Sequence, residues 1–258
     1  ADINRARGDG WTPLWIACWN GHVDAALLLL DNGAEVDRAL EDGRTPLYIA
    51  CKNGHVDAAR ILLNNGAAVD RAKEDGATPL YIACQEGHVE AMRLLLDNGA
   101  EVNRATNDGR TPLFAACRNG HVAVATLLLD RGAVVDRADK DGVTPLFAAC
   151  RNGHVDAARL LLDNGAAVDR ATKRGGTPLY AACCGGHVNA ALLLLEKGAD
   201  INRARGDGWT PLWIACRNGH VDAARLLLDK GADVNLATEK GTTPCLLYTS
   251  DAADDRVS

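Results

Sequence analysis

The sequence has few aromatic residues, no long apolar run and no visible leader. Aromatic residues make up 4% of the 258, with two Phe, and there is one Met. The longest apolar runs, such as AALLLL at 25–30, are far shorter than the ~18 residues of a membrane-spanning helix. The chain begins without Met and without a basic segment followed by an apolar one, so no secretory signal is visible. Apolar and charged fractions of 47% and 24% exclude a disordered or collagen-like chain. The sequence therefore predicts a folded protein without membrane insertion in this stretch.

Proline, histidine and cysteine recur along the chain at one spacing. The first members are Pro13, Cys18 and His22, and each recurs every 33 residues. The eight prolines all follow Thr, the seven histidines all follow Gly, and seven of the nine cysteines share the period. A fixed period between about 20 and 50 residues is typical of a solenoid or repeat array, not of one globular core.

One repeat unit, residues 9–41, predicts two short helices and a loop. Thr12 can cap free backbone N–H groups and Pro13 fits the first helical position, so a helix is expected to begin there. Gly21 readily adopts the left-handed conformation that ends a helix. A second helix is expected over about 23–30, and the residues after it predict an extended turn or hairpin. Helices this short are not stable alone, so neighbouring units must stack and bury their apolar faces together.

The motifs of this unit resemble those of the ankyrin repeat. They are T-P-L-x-x-A-[AC]-x-x-G-H-V and L-L-L-x-x-G-A-x-[VI]-[DN], at the 33-residue period. The resemblance covers residues 1–244 and implies an all-α repeat solenoid of stacked helix–turn–helix units with protruding β-hairpin loops. The complete units are 9–41, 42–74, 75–107, 108–140, 141–173, 174–206 and 207–239, with partial units expected at 1–8 and 240–244.

Two segments do not show the gradual sequence divergence expected between repeats. Residues 245–258 leave the pattern, and their first part, CLLYTSDAAD, resembles one reading frame of a transposase adapter used in sequencing libraries. We therefore expect this tail to be non-native. Residues 1–18 recur letter for letter as 199–216, which recent duplication and misassembly of short reads would both produce.

An aromatic residue stands where the ankyrin pattern usually has His after T-P-L. These residues are Trp15, Tyr48, Tyr81, Phe114, Phe147, Tyr180 and Trp213. The resemblance implies that the usual His helps to fix the turn by bonding to Thr, and Phe cannot make that bond. A larger ring is expected to compensate by burying more area, about 150–250 Å² each.

No arrangement of residues in the sequence predicts catalysis or a metal site. Equivalent cysteines should lie about 8–10 Å apart in packed helices, too far for a disulfide, so we expect buried, reduced thiols. Reduced thiols predict an intracellular chain, cytoplasmic or nuclear. Cys18 and His22 have the spacing of a metal-binding pair, but Gly21 breaks the helix between them and no further ligand converges. The Gly-His pair is better explained as the start of the second helix, with the imidazole bonding neighbouring backbone.

The same sequence features predict no enzyme, no cofactor and no metal. A phosphate-binding surface needs many cations, so a net charge of -6 argues against nucleic-acid binding.

Positions that differ between otherwise similar units are the candidates for partner binding. They lie beside the loop tip and at the end of the first helix, and the resemblance implies that these regions line the concave, partner-binding surface. The tryptophans on this surface are Trp11, Trp15, Trp19, Trp209 and Trp213. Trp15 and Trp19 share a helix face at i,i+4, and Trp is enriched in binding hot spots. Packing in place of His is the alternative for Trp15, and drift without function is the alternative for the variable positions.

Basic residues form a second candidate set. They are Lys52, Arg118, Arg151 and Arg217 at the ends of first helices, with Arg44 and Arg110 at the loops. A cationic surface on an acidic chain favours an acidic peptide, and an ordinary solvated face is the alternative. We therefore predict a non-catalytic scaffold that binds another protein or peptide, of open oligomeric state. The resemblance also allows a regulatory or substrate-recruiting array truncated from a larger enzyme, channel or ubiquitin-ligase subunit.

Overall fold

The computed structural model describes residues 2–5, 10–238, 241 and 243, where the only regular elements are α-helices. The first helices of the units are α1 (Pro13–Asn20), α3 (Pro46–Lys52), α5 (Pro79–Glu86), α7 (Pro112–Arg118), α9 (Pro145–Arg151), α11 (Pro178–Cys184) and α13 (Pro211–Arg217). The second helices are α2 (Val23–Asp31), α4 (Val56–Asn64), α6 (Val89–Asp97), α8 (Val122–Asp130), α10 (Val155–Asp163), α12 (Val188–Glu196) and α14 (Val221–Asp229). The predicted all-helical repeat is confirmed. The tail 245–258, predicted to be non-native, lies outside the described residues.

Each first helix begins at its Thr-Pro pair. The Thr12 hydroxyl accepts a hydrogen bond from the backbone N–H of Trp15 at 3.2 Å, and Thr144 accepts one from Phe147 at 3.1 Å. The donor is the backbone of the residue that replaces the usual His, so Trp, Tyr and Phe all keep this cap. All seven of these aromatic side chains are buried, as expected from their size.

The histidine before the second helix connects a repeat to the preceding one at His55, His88, His121, His187 and His220. Nε2 of His88 lies 3.0 Å from the carbonyl oxygen of Lys52, and Nε2 of His55 lies 3.0 Å from that of Trp19. Because a carbonyl oxygen only accepts, we infer that Nε2 donates. The imidazole also covers the glycine of the preceding repeat, since a Cβ added to Gly54 would stand 2.8 Å from Nδ1 of His88. The Gly-His pair is thus a packing unit between repeats.

The helices pack into two compact units, Ala1–Val134 and Val135–Ser258. In the first unit, α1, α3, α5 and α7 pack in sequence as one row and α2, α4, α6 and α8 as another. In the second unit, α9, α11 and α13 form one row and α10, α12 and α14 the other. Within each unit the core between the rows is built from fully buried repeat positions such as Leu47, Cys51 and Leu62.

The loops contain no strand within the described residues, so the predicted β-hairpins are not confirmed. After α2 a tight turn is closed by the Leu40 N–H to the Arg44 carbonyl at 3.0 Å and the Gly43 N–H to the Leu40 carbonyl at 2.9 Å. A further hydrogen bond joins this turn to the adjacent loop, whose Glu74 N–H donates to the Asp42 carbonyl at 3.0 Å. Backbone groups near the tip thus bond to the neighbouring repeat instead of extending a ladder across the turn.

A carboxylate or amide at one place in each loop also joins neighbouring repeats. Oδ2 of Asp70 accepts from the Glu101 N–H at 3.0 Å, and Oδ1 of Asn103 accepts from the Val134 N–H at 2.9 Å. Nδ2 of Asn103 donates in addition to the Gly132 carbonyl at 3.1 Å. An aspartate cannot make that second bond. Its Oδ1 atom is accordingly buried without a described hydrogen-bond partner at Asp37, Asp70, Asp136 and Asp169.

We expect Asp70→Asn to raise the free energy of unfolding by about 1 kcal/mol. The new amide can donate to the Gly99 carbonyl, while its oxygen keeps the bond from Glu101. The reciprocal control, Asn103→Asp, should lower the free energy of unfolding by about 1–3 kcal/mol because it leaves a buried oxygen unpaired. Urea denaturation followed by far-ultraviolet circular dichroism measures both. A less stable Asp70→Asn variant would contradict the inference that the unpaired oxygen destabilises the loop.

Candidate protein-interaction surface

The loop tip and the first helix of the first repeat bring three tryptophans together. The ring centroids of Trp11 and Trp15 are 4.9 Å apart, those of Trp11 and Trp19 are 4.6 Å apart, and those of Trp15 and Trp19 are 5.4 Å apart. The Trp11–Trp19 pair meets edge to face at 89°, a favoured arrangement for aromatic rings. Trp15 is 1% exposed and Trp19 is 39% exposed. The cluster therefore has a buried base and an exposed outer ring.

The seventh repeat combines two tryptophans with an arginine. The rings of Trp209 and Trp213 are stacked, with centroids 4.2 Å apart and planes inclined by 28°. The guanidinium carbon of Arg217 lies 4.5 Å from the Trp209 centroid, within the range of a cation–π contact. Trp213 is buried and Trp209 is half-buried. Arg217 therefore lies over an aromatic pair. It occupies the repeat position at which the first repeat has Trp19.

The basic candidates differ in their neighbours. Nε of Arg44 forms an ion pair with Oδ2 of Asp42 at 2.6 Å, and the guanidinium of Arg110 lies 5.6 Å from the Phe114 ring centroid. The exposed residues at the ends of α3, α7 and α9 are Lys52, Arg118 and Arg151. Because of this ion pair, Arg44 contributes less net charge to the surface than its residue type suggests.

Each compact unit has a groove lined by loop residues and first helices. The groove of the first unit has a volume of about 330 Å³ and lies beside Tyr48, Tyr81 and Lys52. The groove of the second unit has a volume of about 470 Å³ and lies beside Phe147 and Tyr180. We call these the first groove and the second groove.

Sequence reasoning missed three cations that line the second groove, Lys173, Arg174 and Arg205. The sequence did contain a signal for two of them. Lys173 and Arg174 stand at the repeat positions that Glu74 and Asp75 occupy three repeats earlier, so the charge is reversed there.

Comparison with known proteins agrees with the repeat motifs and with the helix pairs. The family model described as ankyrin repeats (3 copies) matches residues 1–73, 33–106, 68–139, 102–172, 134–205, 167–238 and 204–248. This chain belongs to the ankyrin-repeat family. It is also similar to the crystal structure of the human ASB11 ankyrin repeat domain. The TM-score is 0.78 at 31% identity, over 86% of this chain and 99% of that one. The search of curated proteins finds no match.

The ankyrin core keeps its repeating cysteines protonated. Burial raises the pKa of Cys18, Cys150 and Cys183 to about 12, so almost no thiolate, the reactive form, is present at neutral pH. Within the described part of the chain these cysteines form no disulfide, and no group of three or more His, Cys, Asp or Glu could hold a metal ion. None of the described helices has the length and hydropathy to span a bilayer.

Proposed function

We propose that this ankyrin array is a non-catalytic scaffold that binds another protein through its loops and first helices, the concave face in this family. Ankyrin repeats are generally protein–protein interaction modules. The observation that carries the proposal is the tryptophan cluster of the first repeat. Its outer ring, Trp19, remains 39% exposed although two other rings contact it. Clustered exposed aromatic area on a protein surface is typical of an interaction site.

The cluster is suited to a binding hot spot because it is rigid before a partner arrives. Trp15 is buried beneath Trp11 and Trp19, so it supports their rings and would make little direct contact with a partner. Side chains already held in place lose little conformational entropy on binding. In the seventh repeat, Trp209 and Arg217 offer a second pair of residue types enriched in hot spots.

The exposed cations at the ends of the first helices favour an acidic partner. Lys52 and Arg118 in the first unit and Arg151 in the second have exposed side chains on a chain of net charge -6. Positive charge on a binding surface attracts an acidic partner toward it and raises the association rate, more so at low salt. A catalytic or membrane segment in the full-length transcript would instead favour a recruiting array within a larger enzyme, channel or ubiquitin-ligase subunit.

We expect Trp19→Ala to weaken partner binding about tenfold or more, because it removes the exposed ring of the cluster. Its circular dichroism spectrum should stay that of the wild type, since the carbonyl of residue 19 can still accept from His55. A partner captured on the immobilised chain and then purified gives the dissociation constants.

Val221→Ala is the control for this experiment. Val221 is apolar and 63% exposed on α14, outside the proposed face, so its loss should leave affinity unchanged. Equal affinity of Trp19→Ala and the wild type would remove the tryptophan cluster from the binding surface.

A further inference from the structure

The second groove is open because one repeat position lacks a side chain. Gly176 lines it at the position that Trp11 occupies in the first repeat and Trp209 in the seventh. The backbone at Gly176 does not require glycine. A Cβ there would stand 3.4 Å from Oγ1 of Thr172 and 3.6 Å from the Phe147 ring, both ordinary contacts. The groove is therefore open because the residue at this position is glycine, although the backbone conformation would allow a larger residue.

The charges around the second groove are strongly one-sided. Its lining includes four cations and a single carboxylate, Asp141. The cations are Arg151, Lys173, Arg174 and Arg205. The side chains of the first three form no ion pair with any described residue. The groove thus concentrates positive charge on a chain whose net charge is -6.

The first groove provides an internal comparison at the same repeat positions. Its lining contains four cations but also three acids, and Nζ of Lys73 pairs with Oδ2 of Asp75 at 2.6 Å. Arg174 of the second groove stands where Asp75 stands in the first, and Lys173 stands where Glu74 does. The positive charge is therefore a property of the second groove and not of the repeat.

Arg205 is held at the edge of the second groove by two polar contacts and two aromatic rings. Its Nη1 donates to the Tyr180 hydroxyl at 3.2 Å, and its Nη2 pairs with Asp207 at 3.1 Å. The guanidinium also lies 5.3 Å from the Tyr180 ring centroid and 5.5 Å from that of Trp209. Its Nε is buried without a hydrogen-bond partner among the described residues. The contacts of the two Nη atoms use two of the five guanidinium N–H groups, so each Nη keeps one N–H for an added acceptor.

We propose that the second groove selects an acidic side chain, Asp or Glu, from a peptide segment of the partner. The carboxylate accepts from the guanidinium groups of Arg174 and Arg205, and the rings of Phe147 and Tyr180 contact the adjacent atoms of the segment. Charge-assisted bonds from arginine to carboxylate are among the strongest hydrogen bonds in proteins. This inference rests on the proposed function and adds to it a specificity pocket separate from the tryptophan cluster.

The test uses a random peptide library displayed on phage and selected on the immobilised full chain. Selection takes place at about 0.15 M salt, where charges more than about 8 Å apart are largely screened. Fluorescence anisotropy then gives the dissociation constants of a synthetic selected peptide for the wild type and each variant. Arg174→Asp reverses the charge at this position, and Gly176→Val fills the groove with the residue type found at position 143. The control Arg159→Asp makes the same charge change on the exposed side of α10.

We expect the selected peptides to share an acidic position, and Arg174→Asp and Gly176→Val each to weaken binding about tenfold or more. Changing that acid to its amide should weaken binding similarly, whereas Arg159→Asp should not. Melting temperatures near that of the wild type verify that the variants fold.

Two outcomes would overturn the inference. Selected peptides that are weakened by Trp19→Ala but unaffected by Arg174→Asp and Gly176→Val would overturn the acidic pocket and leave the proposed function standing. Enrichment no greater than on the bare support would count against both.

Discussion

Replacing Gly54 by alanine is expected to lower the free energy of unfolding by about 2–5 kcal/mol. Gly54 has a φ of +73°, a left-handed conformation that costs an L-residue about 1–2 kcal/mol. The added Cβ would also stand 2.8 Å from Nδ1 and 2.9 Å from Cε1 of His88, and such overpacking costs about 1–3 kcal/mol. His88 must then move and loses its 3.0 Å bond to the Lys52 carbonyl.

Gly219→Ala is the matched control for this substitution. Gly219 holds the same place in the seventh repeat with a φ of +72°, but no atom of a described residue lies within 4 Å of an added Cβ. Its cost should therefore be the conformational one alone, about 1–2 kcal/mol. Urea denaturation followed by circular dichroism compares the two variants. Equal losses would refute steric coupling through the histidine.

Replacing Leu193 by alanine is expected to cost about 2–5 kcal/mol, whereas Leu28→Ala should change stability by less than about 0.5 kcal/mol. The two leucines occupy the same repeat position in α12 and α2. Leu193 is 2% exposed because α12 packs against α10, α11 and α14. Leu28 is 65% exposed, and the principal neighbours of α2 are α1 and α4.

The midpoints and slopes of urea denaturation for the two leucine variants decide this prediction. A large loss in Leu28→Ala would mean that α2 is covered in solution by something other than α1 and α4. A negligible loss in Leu193→Ala would mean that the core around α12 collapses to fill the space that the side chain leaves.

The helices could be predicted closely because their start and stop signals are local. The first helix was expected to begin at Pro13 and does, and the second was expected over about 23–30 and spans Val23–Asp31. Thr12 caps through an atom three residues away, which requires no knowledge of the rest of the chain. The β-hairpins were expected from the family resemblance and are not confirmed.

The candidate surface was predicted only in part. Trp15 and Trp19 were expected to share a helix face, and their rings are in contact. The contact of Trp11 with both rings was not predicted, because it depends on the path of the loop. The second groove was not predicted, because its cations come from different repeats and its opening depends on a side chain that Gly176 lacks. Neither property is visible in one repeat unit alone.

The sequence by itself determined the ankyrin repeat, its helices and their caps, because these follow from a 33-residue period and from contacts within a few residues. Only the tertiary structure decided the burial and the charge environment of each repeated residue. The same leucine position is exposed at Leu28 and buried at Leu193, and similar grooves differ in charge. The burial and the electrostatic environment of a residue depend on which side chains of the neighbouring repeats pack against it. The residue type at a single repeat position does not reveal them.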